Sequence, residues 1–199
     1  MADRARRHHA KASIEGLEIL DVGCGAGLLS ESLARLGARV TGIDPVTRNM
    51  ALARAAAAKA AQIIHYRVGT ADALRDEGRQ FDVVCALAVI EHVPDRRRFL
   101  ETLSAPLRPG GLLIVTSIDR TLLAWLAAIV AGERILGILP RGTHRWDWFV
   151  RPQKAQAVLA GKGLGLIDLR GMRYLPLFNR VGWTTRTGVN WAGTWRRSA

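Results

Sequence analysis

Short apolar runs alternate with helix-like segments along the first 117 residues of the chain. Each run is rich in Val, Ile and Leu and has the length of a buried strand, whereas the segments between them carry apolar residues at helical spacing. This rhythm predicts βαβ units that close a parallel sheet. The predicted strands are 18–22, 39–43, 64–68, 81–86 and 112–117, and the predicted helices between them are 28–36, 47–61 and 95–107.

Beyond residue 117 the pattern predicts a long apolar segment at 121–139, a helix near 153–160 and two strands around 164–169 and 189–195. The sequence Pro109-Gly110-Gly111 predicts a turn before the fifth strand. A chain of 199 residues fits one α/β domain with a buried core. We therefore predict a basic tail at 1–15 followed by one domain at 16–199.

A glycine loop follows the first predicted strand, in the sequence Asp21-Val-Gly23-Cys-Gly25-Ala-Gly27. Glycines let the backbone turn tightly and approach a ligand at a helix N-terminus. The third glycine comes one place earlier than in the dinucleotide fingerprint, which disfavours a nicotinamide or flavin. Asp44 ends the second predicted strand, where a carboxylate accepts hydrogen bonds from both hydroxyls of a ribose.

Two further segments reach the same edge of the predicted sheet. Thr70 and Ala71 follow the third strand, and Cys85 lies near the end of the fourth. Ligands of open α/β sheets bind at the carboxyl ends of the strands. These residues are therefore candidates for ligand contact, although ordinary loop positions are an equal alternative.

The glycine spacing resembles the first motif of class I methyltransferases, and two longer motifs resemble one family among them. Ala88-Val-Ile-Glu91-His92-Val-Pro94 and Leu139-Pro-Arg-Gly-Thr-His144 are similar to the ubiquinone biosynthesis O-methyltransferase family. The resemblance covers about 16–195. It implies a Rossmann-like α/β fold, with a mostly parallel seven-stranded sheet and helices on both faces.

The resemblance also implies a function. The cofactor would be S-adenosylmethionine, and the substrate a polyprenylated phenol or catechol that is methylated on oxygen in ubiquinone biosynthesis. The cofactor-binding residues implied are those at the carboxyl edge of the sheet, with Thr70 and Ala71 beside the adenine. They are Asp21, Gly23, Gly25, Gly27, Asp44, Thr70, Ala71 and Cys85.

A phenol becomes a good nucleophile as its proton leaves, so a base or a metal is required. We expect His92 to be the general base, with Glu91 as its partner or, together with His92, as a metal ligand; His144 is a further catalytic candidate. The family places an acid three residues before Glu91, where this chain has Ala88. Mg²⁺ is the cation that this resemblance implies, and losing a carboxylate should weaken its site. Capping or loop packing is the structural alternative for each of these residues.

The positive charge and the tryptophans concentrate late in the chain. The net charge is +12, and from Arg134 onwards twelve Lys and Arg residues stand against two Asp. The apolar segment within 119–150 is interrupted by Glu133-Arg134, so we predict a helical insertion that lies on a membrane and does not span it.

We expect residues 120–145 to contact anionic lipid. The enzyme would then be cytoplasmic and peripheral on a bacterial inner membrane, or peripheral on the matrix side of the mitochondrial inner membrane. Packing of this helix on its own domain is the alternative.

Other functions remain open beside the leading hypothesis. One is a catalytically weakened, lipid-binding member of a quinone-biosynthesis assembly, with other proteins of that pathway as partners, and another is methylation of a different small molecule. Methylation of nucleic acid is disfavoured because the chain lacks an Asn/Asp-Pro-Pro-Tyr sequence, and we expect no nucleic-acid partner. Fewer residues precede the first strand than the resemblance implies, so we expect an N-terminal lid to be missing or the chain to be a fragment.

Overall fold

The computed structural model of the chain describes residues 13–118, 150–175 and 180–199. Most of the predicted basic tail, His144 and all but the last residue of the predicted insertion at 119–150 lie outside these ranges. In the described ranges, no helix is long and apolar enough to cross a bilayer.

The described strands form one sheet of eight strands in the order β3-β2-β1-β4-β5-β8-β6-β7. The first five strands in this order are mutually parallel, and β8, β6 and β7 continue the sheet in antiparallel pairing. The chain direction therefore places the carboxyl ends of the five parallel strands at one edge. The strands are β1 (Glu18–Val22), β2 (Arg39–Asp44), β3 (His65–Val68), β4 (Phe81–Leu87), β5 (Leu107–Ile118), β6 (Leu164–Leu175), β7 (Arg180–Thr184) and β8 (Asn190–Arg197).

Helices connect the parallel strands, as the alternating pattern predicts. The helix Ala71–Asp76 and a 3₁₀ turn at Ile90–His92 are additions that the periodicity did not indicate, because both are too short to show a helical repeat. The helices are α1 (Leu28–Arg35), α2 (Thr47–Lys59), α3 (Ala71–Asp76), α4 (Arg96–Ser104) and α5 (Pro152–Ala160).

Two details of the sheet differ from the prediction. The turn predicted at Pro109-Gly110-Gly111 is wrong, because β5 runs through it from Leu107. A register shift between Phe81 and Val83 on β4 and a positive φ of 74° at Gly110 accommodate this sequence within the strand. The other difference is β7, an eighth strand whose five residues gave no clear apolar alternation.

The core lies on both faces of the sheet because successive residues of each strand point to opposite sides. On one face, the α4 and α5 side chains Leu103 and Leu159 pack in the same cluster as Val84 and Val115. On the other face, Leu33 of α1 belongs to a second cluster. Burial on both faces explains why the parallel strands read as continuous apolar runs.

Candidate functional site

The glycine loop connects β1 to α1 in backbone conformations that favour glycine. Gly23, Gly25 and Gly27 have φ angles of 67°, 54° and 92°. The N–H groups of Gly23 and Cys24 donate to the carbonyl of Ile43 at 2.8 and 3.0 Å, which fastens the loop to the end of β2. A Cβ on Gly23 would lie 2.5 Å from a methyl group of Val89, so the backbone there approaches the loop after β4 closely.

Asp44 lies at the end of β2 and holds the glycine loop. Its Oδ2 accepts a hydrogen bond from the N–H of Gly25 at 3.1 Å, and its Oδ1 accepts from the N–H of Val46 at 2.9 Å and from Nδ2 of Asn49 at 3.1 Å. The carboxylate is buried. The structure thus brings Asp44 to the glycine loop, and its contact with a ribose stays a prediction.

Asp21 is buried between the glycine loop and α1 and is not exposed at the surface of the loop. Its side chain is buried, and Oδ2 accepts a hydrogen bond of 2.7 Å from Oγ of Ser30 on α1. Burial raises the pKa of Asp21 to about 6, a shift that the hydrogen bond from Ser30 partly offsets and the nearby charge of Asp44 increases. Asp21 therefore supports the loop from below.

A cavity of about 250 Å³ opens beside the loop, at the carboxyl ends of the strands. Its walls are largely apolar, and Asp72, Asp95 and Arg98 supply charged groups. Thr70 and Ala71, predicted from the sequence, line it together with side chains from α4. The lining residues are Val22, Gly23, Pro45, Gly69, Thr70, Ala71, Asp72, Val89, Val93, Pro94, Asp95, Arg98, Phe99 and Thr102.

Cys85 does not line this cavity. Its thiol is buried in the core with Val83 and Ile114, on the face of the sheet that packs against α1. Burial raises the pKa of Cys85, and burial likewise raises the pKa of Cys24 to about 12. Neither cysteine is therefore a reactive thiolate. The predicted contact of Cys85 with the cofactor is not supported by the lining of this cavity, which does not include Cys85.

Glu91 and His92 are neighbours whose side chains have opposite environments. The carboxylate of Glu91 is buried and its Oε2 accepts a hydrogen bond of 3.2 Å from Oγ of Ser117 at the end of β5. His92 is exposed. Both belong to a 3₁₀ turn, and Ala88 before it has a left-handed φ of 53°, so residues 88, 91 and 92 do not lie on one face of a continuous helix.

This geometry bears on the predicted metal role of Glu91 and His92. In the part of the chain that the structure describes, no group of three His, Cys, Asp or Glu side chains lies close enough together to hold a metal ion. Mg²⁺ prefers several oxygen ligands, and here Ala88 contributes none from its side chain. The described donors therefore do not fit such a site, and the metal role of Glu91 and His92 stays a prediction.

The chain is similar to enzymes of one named family over most of its length. It is 45% identical over 178 residues to the ubiquinone biosynthesis O-methyltransferase of Methylobacterium nodulans, covering 89% of this chain and 72% of the relative. It is also 45% identical over 186 residues to the enzyme of that name in Brucella anthropi, covering 94% and 75%. The chain belongs to the ubiquinone biosynthesis O-methyltransferase family.

Residues 20–115 of this chain match the model of a methyltransferase domain. Solved structures agree in fold. A methyltransferase from Methanosarcina mazei has a TM-score of 0.72 at 18% identity, covering 100% of this chain and 98% of that one. Magnesium protoporphyrin IX methyltransferase from Synechocystis, solved with bound S-adenosylhomocysteine, has a TM-score of 0.68 at 21% identity, covering 94% of this chain and 76% of that one. The predicted family, fold class, O-methyltransferase class and S-adenosylmethionine cofactor are confirmed.

Sequence reasoning missed several residues of the site in this family member. Asp72 directly follows the predicted Thr70-Ala71 pair, and its position in that motif could have indicated it. Asn49 and Ser30 hold the two acids of the site but belong to helices whose pattern carries no such signal. Arg98, Phe99 and Thr102 come from α4, and only the packing of that helix brings them to the cavity.

Proposed function

We propose that this chain transfers a methyl group from S-adenosylmethionine to a phenolic oxygen of a quinone precursor that carries a prenyl tail. The observation that carries the proposal is the hydrogen bond from the glycine loop to Asp44, which lies beside an apolar cavity. The chain's membership of the O-methyltransferase family agrees with this proposal. The loop would lie along the methionine portion of the cofactor. The carboxylate of Asp44 would accept hydrogen bonds from the ribose hydroxyls.

The adenine would occupy the cavity. A planar aromatic base needs apolar walls, which Pro45, Val89 and Phe99 provide, and it needs a polar group at its edge. The exocyclic amine of adenine is a hydrogen-bond donor, and the carboxylate of Asp72 is an acceptor in the same cavity. Thr70 and Ala71 form the adjoining wall, in agreement with the role that the family resemblance implies.

The reaction needs the phenol to lose its proton. S-Adenosylmethionine supplies the methyl group, which leaves sulfur as the new bond to the phenolic oxygen forms, with S-adenosylhomocysteine as the other product. His92 is exposed at the carboxyl edge and would take the phenolic proton, and Glu91, anchored by Ser117, would orient this turn. His144 lies outside the described residues and remains a second candidate.

The cofactor site is tested by isothermal titration with S-adenosylhomocysteine. Wild-type protein should bind saturably, and Asp44→Ala should weaken binding at least tenfold because the carboxylate that joins the loop to the ribose is lost. Arg48→Ala, an exposed neighbour on α2, is the matched control and should bind like wild type. Saturable binding that is unchanged in Asp44→Ala would contradict the proposed site.

The base is tested by turnover on a prenylated catechol. His92→Gln should lower kcat by two or more orders of magnitude while leaving the affinity for S-adenosylhomocysteine within about twofold, because general-base catalysis typically contributes that much. An unchanged kcat would show that His92 is not the general base, and His144 would then be the next residue to substitute. A simple catechol, a prenylated catechol and an unrelated phenol, compared by kcat/KM, would decide whether another small molecule is preferred.

The membrane role would let the prenyl tail remain in the bilayer while the ring enters the site. The sequence supports this role in two ways: most of the positive charge lies from Arg134 onwards, and all six tryptophans lie at or after Trp125. Co-sedimentation with liposomes tests it. Binding to vesicles that contain phosphatidylglycerol, reduced by salt and absent with phosphatidylcholine alone, is the expected result, and no binding to either would reject the membrane surface at 120–145.

A second candidate function is a catalytically weakened member that binds cofactor and lipid. The observation that favours it is Ala88, which replaces the acid of the family at an exposed position beside Glu91. A wild-type chain that binds S-adenosylhomocysteine but does not methylate would favour this candidate. Turnover gained by Ala88→Glu with Mg²⁺, and not by the matched Ala88→Gln, would then identify the missing carboxylate as the cause.

A further inference from the structure

The carboxylate of Asp72 is held at one of its two oxygens. Asp72 lies in the first turn of α3, and its Oδ1 accepts a hydrogen bond of 3.1 Å from Oγ1 of Thr102 on α4. Nη2 of Arg98, one turn earlier on α4, lies 3.8 Å from the same Oδ1. All three residues line the cavity. Residues of α4 therefore determine the orientation of the Asp72 carboxylate in the cavity.

The two contacts to Oδ1 are unequal. The side chain of Arg98 is 73% exposed, and an ion pair at that exposure is screened by water and salt. Thr102 is only 5% exposed, and its χ1 is restricted by branching at Cβ and by the helix around it. A buried hydroxyl on a rigid helix fixes an acceptor better than a long exposed side chain does. The hydrogen bond from Thr102 is thus the contact that sets the orientation of Asp72.

The second carboxylate oxygen of Asp72, Oδ2, differs from Oδ1 in its contacts. Within the described ranges, no hydrogen bond is made to Oδ2. An ionised carboxylate can only accept hydrogen bonds. If Oδ2 faces the base of the cofactor, the cavity favours a base with a donor at that edge and disfavours one with an acceptor there.

We propose that Thr102 is a positioning residue that makes the cofactor site selective for adenine. It fixes Asp72 through Oδ1, so that Oδ2 accepts from the exocyclic amine of the base. Hypoxanthine carries a keto oxygen at this position, and two acceptors would then face each other. The inference rests on the proposed function, because it concerns the same cofactor, and it adds the α4 residue that enforces the choice of base.

Asp95 is the competing acid in the same cavity. Its Oδ1 accepts a hydrogen bond of 2.9 Å from the N–H of Arg98 and caps the N-terminus of α4. Asn is as good an N-cap as Asp, so Asp95→Asn keeps the helix while removing the charge. This variant is therefore a control for the charge of the cavity, and Thr102→Ser, which keeps the hydroxyl, is the control for Thr102→Val.

The experiment measures the ratio of dissociation constants for S-inosylhomocysteine and S-adenosylhomocysteine by isothermal titration. Wild type and Asp95→Asn should prefer the adenine compound about tenfold or more, as expected for a hydrogen bond to a charged acceptor. Thr102→Val should lower this ratio at least threefold, chiefly through weaker binding of the adenine compound. Thr102→Ser should restore it, and Asp72→Asn should bring it close to one, because an amide can turn either its donor or its acceptor to the base.

Different failures have different meanings. A loss of affinity for both compounds by the same factor in Thr102→Val would leave the ratio unchanged and overturn the positioning role, since that is what loosened packing alone would produce. If the preference for the adenine compound were lost in Asp95→Asn and kept in Asp72→Asn, the base would contact Asp95 and not Asp72. That result would also overturn the positioning role of Thr102. Failure of folded wild-type protein to bind S-adenosylhomocysteine would overturn the proposed function and this inference with it.

Discussion

Oδ2 of Asp44 lies 3.1 Å from the backbone nitrogen of Gly25, so the acid that ends β2 accepts a hydrogen bond from the loop that ends β1. Its Oδ1 is meanwhile held by Asn49 and by the N–H of Val46. The loop and the acid are therefore one unit. Any change that turns the carboxylate of Asp44 should also move the glycine loop.

Asn49 offers a test of this unit from a residue that need not contact the cofactor. Asn49→Ala removes the 3.1 Å hydrogen bond to Asp44, and we expect affinity for S-adenosylhomocysteine to fall about fivefold. Asn49→Asp places a second carboxylate against Asp44 and should weaken binding more strongly, because like charges repel. Isothermal titration measures both. Equal affinities for the two variants would show that Asn49 does not act through the charge of Asp44.

Asp21 should make the stability of the protein depend on pH. Its pKa is raised from 3.8 to about 6 in the folded state, so the folded protein keeps a proton that the unfolded chain loses. The stability that this proton confers is complete at acid pH and is lost as the pH rises through about 6. Asp21→Asn keeps an acceptor for Ser30 without the buried charge. Its stability relative to wild type should therefore increase between pH 4 and pH 7.5, by about 3 kcal/mol as an upper bound.

Urea unfolding at several pH values measures this difference. Glu15→Gln removes an exposed carboxylate and is the control, for which we expect no comparable trend. A difference between Asp21→Asn and wild type that stays constant across this range would mean that Asp21 does not carry the buried charge.

Gly42 of β2 has no room for a side chain. A Cβ there would lie 2.7 Å from two ring carbons of Tyr66 and 3.0 Å from Sγ of Cys24. Gly42→Ala should cost roughly 1–3 kcal/mol through overpacking. Gly165→Ala on β6, where a Cβ would meet nothing within 4 Å, should be close to neutral. Thermal unfolding compares the two, and equal melting temperatures would contradict the tight packing around Gly42.

Ala88 should carry backbone strain. Its φ of 53° lies in the left-handed region, and its N–H donates to Oγ1 of Thr116 at 3.0 Å. Ala88→Gly should relieve roughly 1 kcal/mol of this strain, partly offset by the greater freedom of glycine in the unfolded chain, for a small net gain in stability. Ala51→Gly on the exposed side of α2 should instead lower stability by about 1 kcal/mol. Changes of the same sign in both variants would argue against strain at Ala88.

The sequence by itself determined the features that depend on short stretches of chain. Apolar runs and helical spacing predicted β1 with its bounds, the neighbouring helices and the parallel half of the sheet, because burial on both faces imposes a continuous apolar run on each strand. The glycine loop and Asp44 were equally readable, since a tight turn and a strand-end carboxylate need only a few residues.

Only the tertiary structure decided which side chains share a site. Cys85 and Ala86 are adjacent on β4, yet the alternation of the strand places their side chains in core clusters on opposite faces of the sheet. Glu91 and His92 are adjacent in sequence, and a 3₁₀ turn buries one and exposes the other. Thr102 and Asp72 are thirty residues apart, and their hydrogen bond exists because α4 packs beside α3. Such contacts depend on how whole elements pack against one another, which no local pattern of residues records.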